Sequence, residues 1–243
     1  MLRSSKQYWR SFAAVFVIVL GSMVWATIPP THATPDTNPG VLPPNAKAHG
    51  KSYGDWGGKW WQWALSFPIA DLPFLNTGGP VDISAGQSGK VWFLAGANLG
   101  LTSPRTGTIP PGTFLFFPLL NLINDYPCPP EFGFEPEPGE TLEHFLQRTG
   151  NDFLPFATDL FAEIDGIPLT DLSSYRATSR LFTFTADPDL ALFFDPCVTG
   201  SPQPGVAVGY WLMLSPLPPG THTLHFGAPS FGQDITYEVT VER

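Results

Sequence analysis

Residues 206–214 read VAVGYWLML, nine consecutive positions with no charge and no alternation. A run this short and apolar on both faces suits a central strand covered by a layer on each side. The C-terminal stretch 234–242, DITYEVTVE, has a strict period of two. Ile235, Tyr237, Val239 and Val241 then face inward, and Thr236, Glu238 and Thr240 outward. Between these two stretches, THTLHF follows the turn-rich PLPPG.

Working upstream, RLFTFT alternates Phe182 and Phe184 with threonines, and LFAEIDGIPL places Asp165-Gly166 between apolar runs. Asp-Gly at that position is a hairpin signal, and Pro168 assigns the second arm to a sheet edge. Val91, Phe93 and Ala95 alternate with Trp92 and Leu94, and residues 113–119 are apolar throughout. Strands in such number, separated by turn signals, predict a mainly β fold: an Ig-like or jelly-roll-like antiparallel β-sandwich.

Two segments have the helical period instead. Trp56, Trp60, Trp63 and Phe67 are spaced 4, 3 and 4 apart, one face of a Trp-rich N-terminal helix. Asp55 is the candidate cap and Pro68 the stop. Gly57 and Gly58 weaken the first turn, so the helix is read mainly from Lys59 to Ser66. Residues 140–157 predict one or two short helices, interrupted at Gly150 and Pro155. These helices are expected to cover one face of the sandwich.

The first residues set the compartment. Arg3, Lys6 and Arg10 precede an apolar run from Phe12 to Leu20 that extends weakly to Ile28. That order is the signature of a secretory signal peptide at residues 1–26, with small residues for cleavage at Ala26 or Ala33. The alternative is an uncleaved N-terminal anchor, since Phe12–Ile28 reaches the lower edge of a bilayer span. Residues 27–51 read as a Pro-rich tether, and residues 52–243 as a single β-sandwich domain. The chain carries a net charge of −9, and removal of the leader takes away three positive charges and no acid.

Composition excludes several classes. Charged residues are only 14% of the chain and no basic run follows residue 10, so no cationic footprint for nucleic acid is visible. Aromatics at 14%, with 20 phenylalanines, supply a large core and exclude general disorder. There is no G-x-S-x-G elbow, no H-E-x-x-H and no phosphate loop, so no catalytic residue and no cofactor is assigned. In an exported chain the two cysteines, Cys128 and Cys197, are expected to form a disulfide.

Candidate site residues are polar or aromatic groups set in apolar surroundings. Trp61 lies off the tryptophan stripe and is the candidate contact surface. Gln62, Gln87, Arg105 and Asn121 would line a pocket or bond to backbone, and His222 belongs with them. His222 and His225 are three apart on a strand, hence on opposite faces, and do not make a zinc pair. Asp125, Asp187, Asp189 and Asp195 flank the expected bridge and are weak calcium candidates, without a calcium-loop pattern.

WWQWALSFP (60–68), GQSGKVWFLAG (86–96), IPPGTFLFFPLLN (109–121) and YWLMLSPLPPGTHTLHFG (210–227) together resemble a group of exported, uncharacterised bacterial proteins. The resemblance implies export and spans residues 52–241, but implies no activity or cofactor. Relatives carry a cysteine at the position of Gly107 and another before GQSG, and this chain has neither.

Three functional readings follow. The first is an exported, non-catalytic β-sandwich that binds a carbohydrate or envelope partner. The second is an extracytoplasmic carbohydrate-active enzyme using a carboxylate pair. The third is a purely structural envelope protein. None calls for nucleic acid, and contact with membrane is expected only through the N-terminal segment.

Overall fold

The nine-residue apolar run lies inside the longest strand pairing among the described residues. A computed structural model describes residues 38, 40–75, 82–97 and 105–243; the leader, both cleavage sites and the first part of the tether lie outside the described residues. The described residues belong to one unit, Asp36–Arg243.

In chain order the elements are α1 (Tyr53–Ala64), β1 (Val91–Phe93), β2 (Arg105–Ile109), β3 (Phe114–Asp125), α2 (Leu142–Phe153), β4 (Phe161–Ile164) and β5 (Ile167–Pro168). They continue with β6 (Arg176–Thr178), β7 (Phe182–Phe184), β8 (Gln203–Leu214), β9 (Gly220–Ala228) and β10 (Gln233–Val241). One five-stranded sheet runs β1-β3-β8-β6, with β7 also on β8; the other runs β2-β10-β9-β4-β5. The chain is thus a β-sandwich with a few short helices.

β8 is buried on both faces, as its sequence predicts, because strand alternation sends successive side chains to different layers. Trp211 stacks on Phe116 at 5.2 Å and faces α1, where Trp60 meets it at 5.8 Å. Phe117 points the other way and packs against Phe226 of the second sheet at 4.4 Å. Val208, three positions from Trp211, meets α2 at Gly150. The two helices therefore cover opposite faces of the first sheet, not one face as expected.

Two pairings depart from the antiparallel expectation. β1 pairs with β3, and β2 with β10, in parallel. Connectivity explains the first of these. β2 belongs to the other sheet, so the chain leaves the first sheet after β1 and returns to it at β3. That excursion serves as the crossover a parallel pair requires. The hairpin at Asp165-Gly166 forms as its sequence predicts, both residues having positive φ, 53° and 76°.

The N-terminal boundaries also differ. The tether expected to reach residue 51 is already engaged at Val41, which is buried and bridged to Leu214. Leu42 N–H donates to the Met213 carbonyl at 2.9 Å, so the far end of β8 captures this segment. α1 begins at Tyr53, six residues before the expected Lys59. Its cap is Ser52, and Asp55 occupies the third position of a reciprocal capping box. The glycines are there for contact: a Cβ on Gly54 would lie 2.1 Å from the Thr178 carbonyl oxygen, and one on Gly57 would lie 3.0 Å from Trp211.

Candidate functional site

The outer edge of α1 borders two adjoining clefts. The first, of about 350 Å³, lies between the α1 entry and the turn before β1, with Trp56 and Phe93 as aromatic walls and Lys51, Lys59 and Lys90 at its rim. The second, of about 450 Å³, shares Lys51 and Lys59 and extends past Gln62 to Arg180. Trp56 is held by its indole N–H on the Ala48 carbonyl at 3.0 Å, and the Lys51 ammonium sits 5.1 Å from its ring centre. Lys59 donates to Gln62 Oε1 at 2.9 Å, and Gln62 in turn donates to the Thr183 carbonyl at 2.8 Å. None of Lys51, Lys59 and Lys90 meets a carboxylate among the described residues. Gln62 thus reaches an open cleft, unlike the other polar candidates Gln87 and Arg105.

Trp61 does not present a surface. It is 4% exposed, because Phe74 and Phe194 return over it at 5.9 and 6.2 Å. Its indole N–H and the amide nitrogen of Asn121 are buried without a protein partner. Both residues border a cavity of about 60 Å³, room for roughly one or two waters.

Gln87 and Arg105 are internal clamps. Gln87 donates to the carbonyls of Ile83 and Phe93 and accepts from Phe93 N–H, tying the turn before β1 to that strand. Arg105 is 1% exposed and donates to the carbonyls of Ala95 and Gly96 and to the Tyr237 hydroxyl. His222 is shared between Asp165 at 2.7 Å and the Pro218 carbonyl, whereas His225 pairs with Asp234. Burial works against the His222 imidazolium, but the hydrogen bonds to Asp165 and Pro218 and the Asp165 charge outweigh it and raise the pKa.

A second aromatic cleft, also about 350 Å³, lies between Trp63, Phe67 and Phe93 with Asp71 and Asp82 at its mouth. Its polar groups are largely engaged. Asp82 accepts from the backbone and hydroxyl of Ser84, and Trp63 donates to the Ala85 carbonyl.

Cys128 and Cys197 form the expected disulfide, and the bridge gathers only part of the acidic set. Asp125 and Asp195 come together beside it, at a cleft of about 330 Å³ walled by Phe132 and Phe134. Asp187 caps the turn Pro188–Leu192 and accepts from the backbones of Asp189 and Ile69. The four-acid calcium arrangement is therefore not assembled: among the described residues the only close group is Asp125, Asp195 and Cys197, and the Cys197 sulfur is in the disulfide. Burial, then the Asp195 charge and hydrogen bond, push the Asp125 carboxyl up to about 8. Burial raises Asp195 as well. Gln203 donates to Asp125 and to the Cys197 carbonyl, and so holds the pair in place.

The bridge suits an oxidising compartment. No helix among the described residues is long and apolar enough to cross a membrane. No protein-family model, no curated protein and no solved structure matches the chain.

Proposed function

We propose that this protein is an exported, non-catalytic β-sandwich that binds a saccharide of the cell envelope in the cleft beside α1. One observation carries the reading: Trp56 and Phe93 form the aromatic wall of a cleft that is also lined by three lysines with no carboxylate partner among the described residues. A sugar ring has an apolar C–H face and a rim of oxygens, and binding sites for small ligands combine apolar walls with a few converging polar groups. The competing aromatic cleft at Trp63 offers the wall, but the charged groups at its mouth are two acids, Asp71 and Asp82, and Asp82 is engaged by Ser84. The disulfide and the signal-like first residues support export.

The non-catalytic part of the reading rests on the missing catalytic motifs and on the geometry of the Asp125–Asp195 pair. Asp125 and Asp195 lie side by side, Asp125 accepting from Gln203 and Asp195 from the Cys197 N–H, an arrangement that holds a loop in place. A glycosidase keeps its carboxyls about 5–10 Å apart, with the scissile bond between them.

Calorimetric titration of the purified protein with a panel of neutral and acidic polysaccharides, alongside an assay for released reducing ends, tests the reading. Binding heat with at least one polymer and no new reducing ends is expected. No heat with any polymer overturns the binding claim, and released ends overturn the non-catalytic one.

A further inference from the structure

Four cations that are remote in sequence converge on the two clefts beside α1. Lys51 immediately precedes the helix cap, Lys59 is on the helix, Lys90 is in the turn before β1 and Arg180 joins β6 to β7. Arg180 is paired with Asp55 at 2.9 Å, and Glu143 also borders the larger cleft. The smaller cleft has no acid in its lining at all, and its three lysines have no ionic partner among the described residues. This concentration of positive charge occurs on a chain whose net charge is −9.

Like charges placed close together repel, and each ammonium retains donors for a ligand. Lysine acts as a mobile point charge, suited to anionic groups at variable spacing along a flexible chain. The net negative charge of the chain repels a polyanion in general and so steers it towards a basic cleft.

We propose that the α1 cleft selects a polyanionic saccharide, a chain whose rings carry carboxylate or sulfate groups. Lys51, Lys59 and Lys90 take the anionic groups while Trp56 and Phe93 take a ring face. This rests on the saccharide reading above and narrows it to a substrate class. Shape favours a chain over a bilayer, since the charges line shallow clefts of about 350 and 450 Å³.

The test is titration of the full exported domain with polygalacturonate, with neutral dextran and with phosphatidylglycerol vesicles. The double variant Lys59→Glu/Lys90→Glu is run in parallel. Both lysines are exposed, and an unchanged near-ultraviolet dichroism spectrum confirms that the variant is folded. Polygalacturonate is expected to bind, to weaken about tenfold or more in the double variant, and to weaken further as ionic strength rises. Dextran and vesicles are expected not to bind. Dextran binding as tightly as polygalacturonate, or a double variant that binds normally, overturns the anionic class and leaves the saccharide reading standing. Failure of both polymers overturns the saccharide reading itself, and vesicle binding without polymer binding assigns the face to a membrane surface instead.

Discussion

Arg105 donates through Nη1 to the hydroxyl of Tyr237 at 2.7 Å, and its guanidinium lies 5.4 Å from the centre of that same ring. No carboxylate accompanies this fully buried cation among the described residues; its other partners are the carbonyls of Ala95 and Gly96. The contact ties the stretch after β1, in one sheet, to β2 and β10, in the other. A planar fork reaches three acceptors that a single ammonium cannot serve together. Arg105→Ala is expected to lower the unfolding free energy by on the order of 3 kcal/mol, with Arg105→Lys recovering only part of it. Urea titration followed by tryptophan fluorescence checks both, and an unchanged midpoint contradicts the clamp.

The carboxyl pair makes stability depend on pH. Asp125 holds its proton up to about 8 in the folded protein and loses it near 4 when unfolded. Between those values the folded state binds the extra proton, so stability falls as pH rises through that window and levels off above it. Asp125→Asn keeps a donor for Asp195 and an acceptor for Gln203, and should flatten the slope. His222 adds a fall of the same sign that starts higher, near 6.5, because its stabilising contact is lost as the imidazolium deprotonates. Thermal midpoints across the range separate the two, since His222→Gln should leave the lower part of the slope intact.

The Cys128–Cys197 bridge spans 69 positions of sequence and anchors the chain between β3 and β8. Replacing both cysteines with alanine should cost about 4 kcal/mol if constraint of the unfolded chain dominates. Equilibrium denaturation of the oxidised protein and the double variant measures it.

Propensity and packing make opposite forecasts for Gly54. Alanine in place of a helical glycine gains about 1 kcal/mol from propensity alone. Here the new methyl would meet the Thr178 carbonyl oxygen at 2.1 Å. Gly54→Ala should therefore destabilise, by about 1–3 kcal/mol, as α1 is pushed off β6. A rise in melting temperature would show that the helix does not sit this close.

Much of this fold is legible wherever one residue's environment is set by near neighbours. The period-two pattern of 234–242 marks β10, with Ile235, Tyr237, Val239 and Val241 buried as read, and Asp165-Gly166 marks the β4–β5 hairpin. Long-range returns of the chain are not legible. Trp61 lies off the helical stripe and reads as exposed, but Phe74 and Phe194, from 13 and 133 positions away, close over it. The same holds for the basic clefts: no run of cations marks them, because each cation comes from a different segment. Asp125 and Asp195 were accessible through the predicted bridge, whereas Asp187 was drawn away by a local capping role that two-residue spacing to Asp189 permits.

Isotope-labelled protein titrated with galacturonate oligomers and followed by backbone and indole N–H resonances locates the ligand residue by residue. The predicted outcome is a set of shifts confined to Lys51, the Trp56 indole, Lys59 and residues 88–90. Shifts gathered instead at Trp63, Phe67 and Asp71, or around Asp125 and Asp195, would contradict the assignment of the α1 cleft as the binding site.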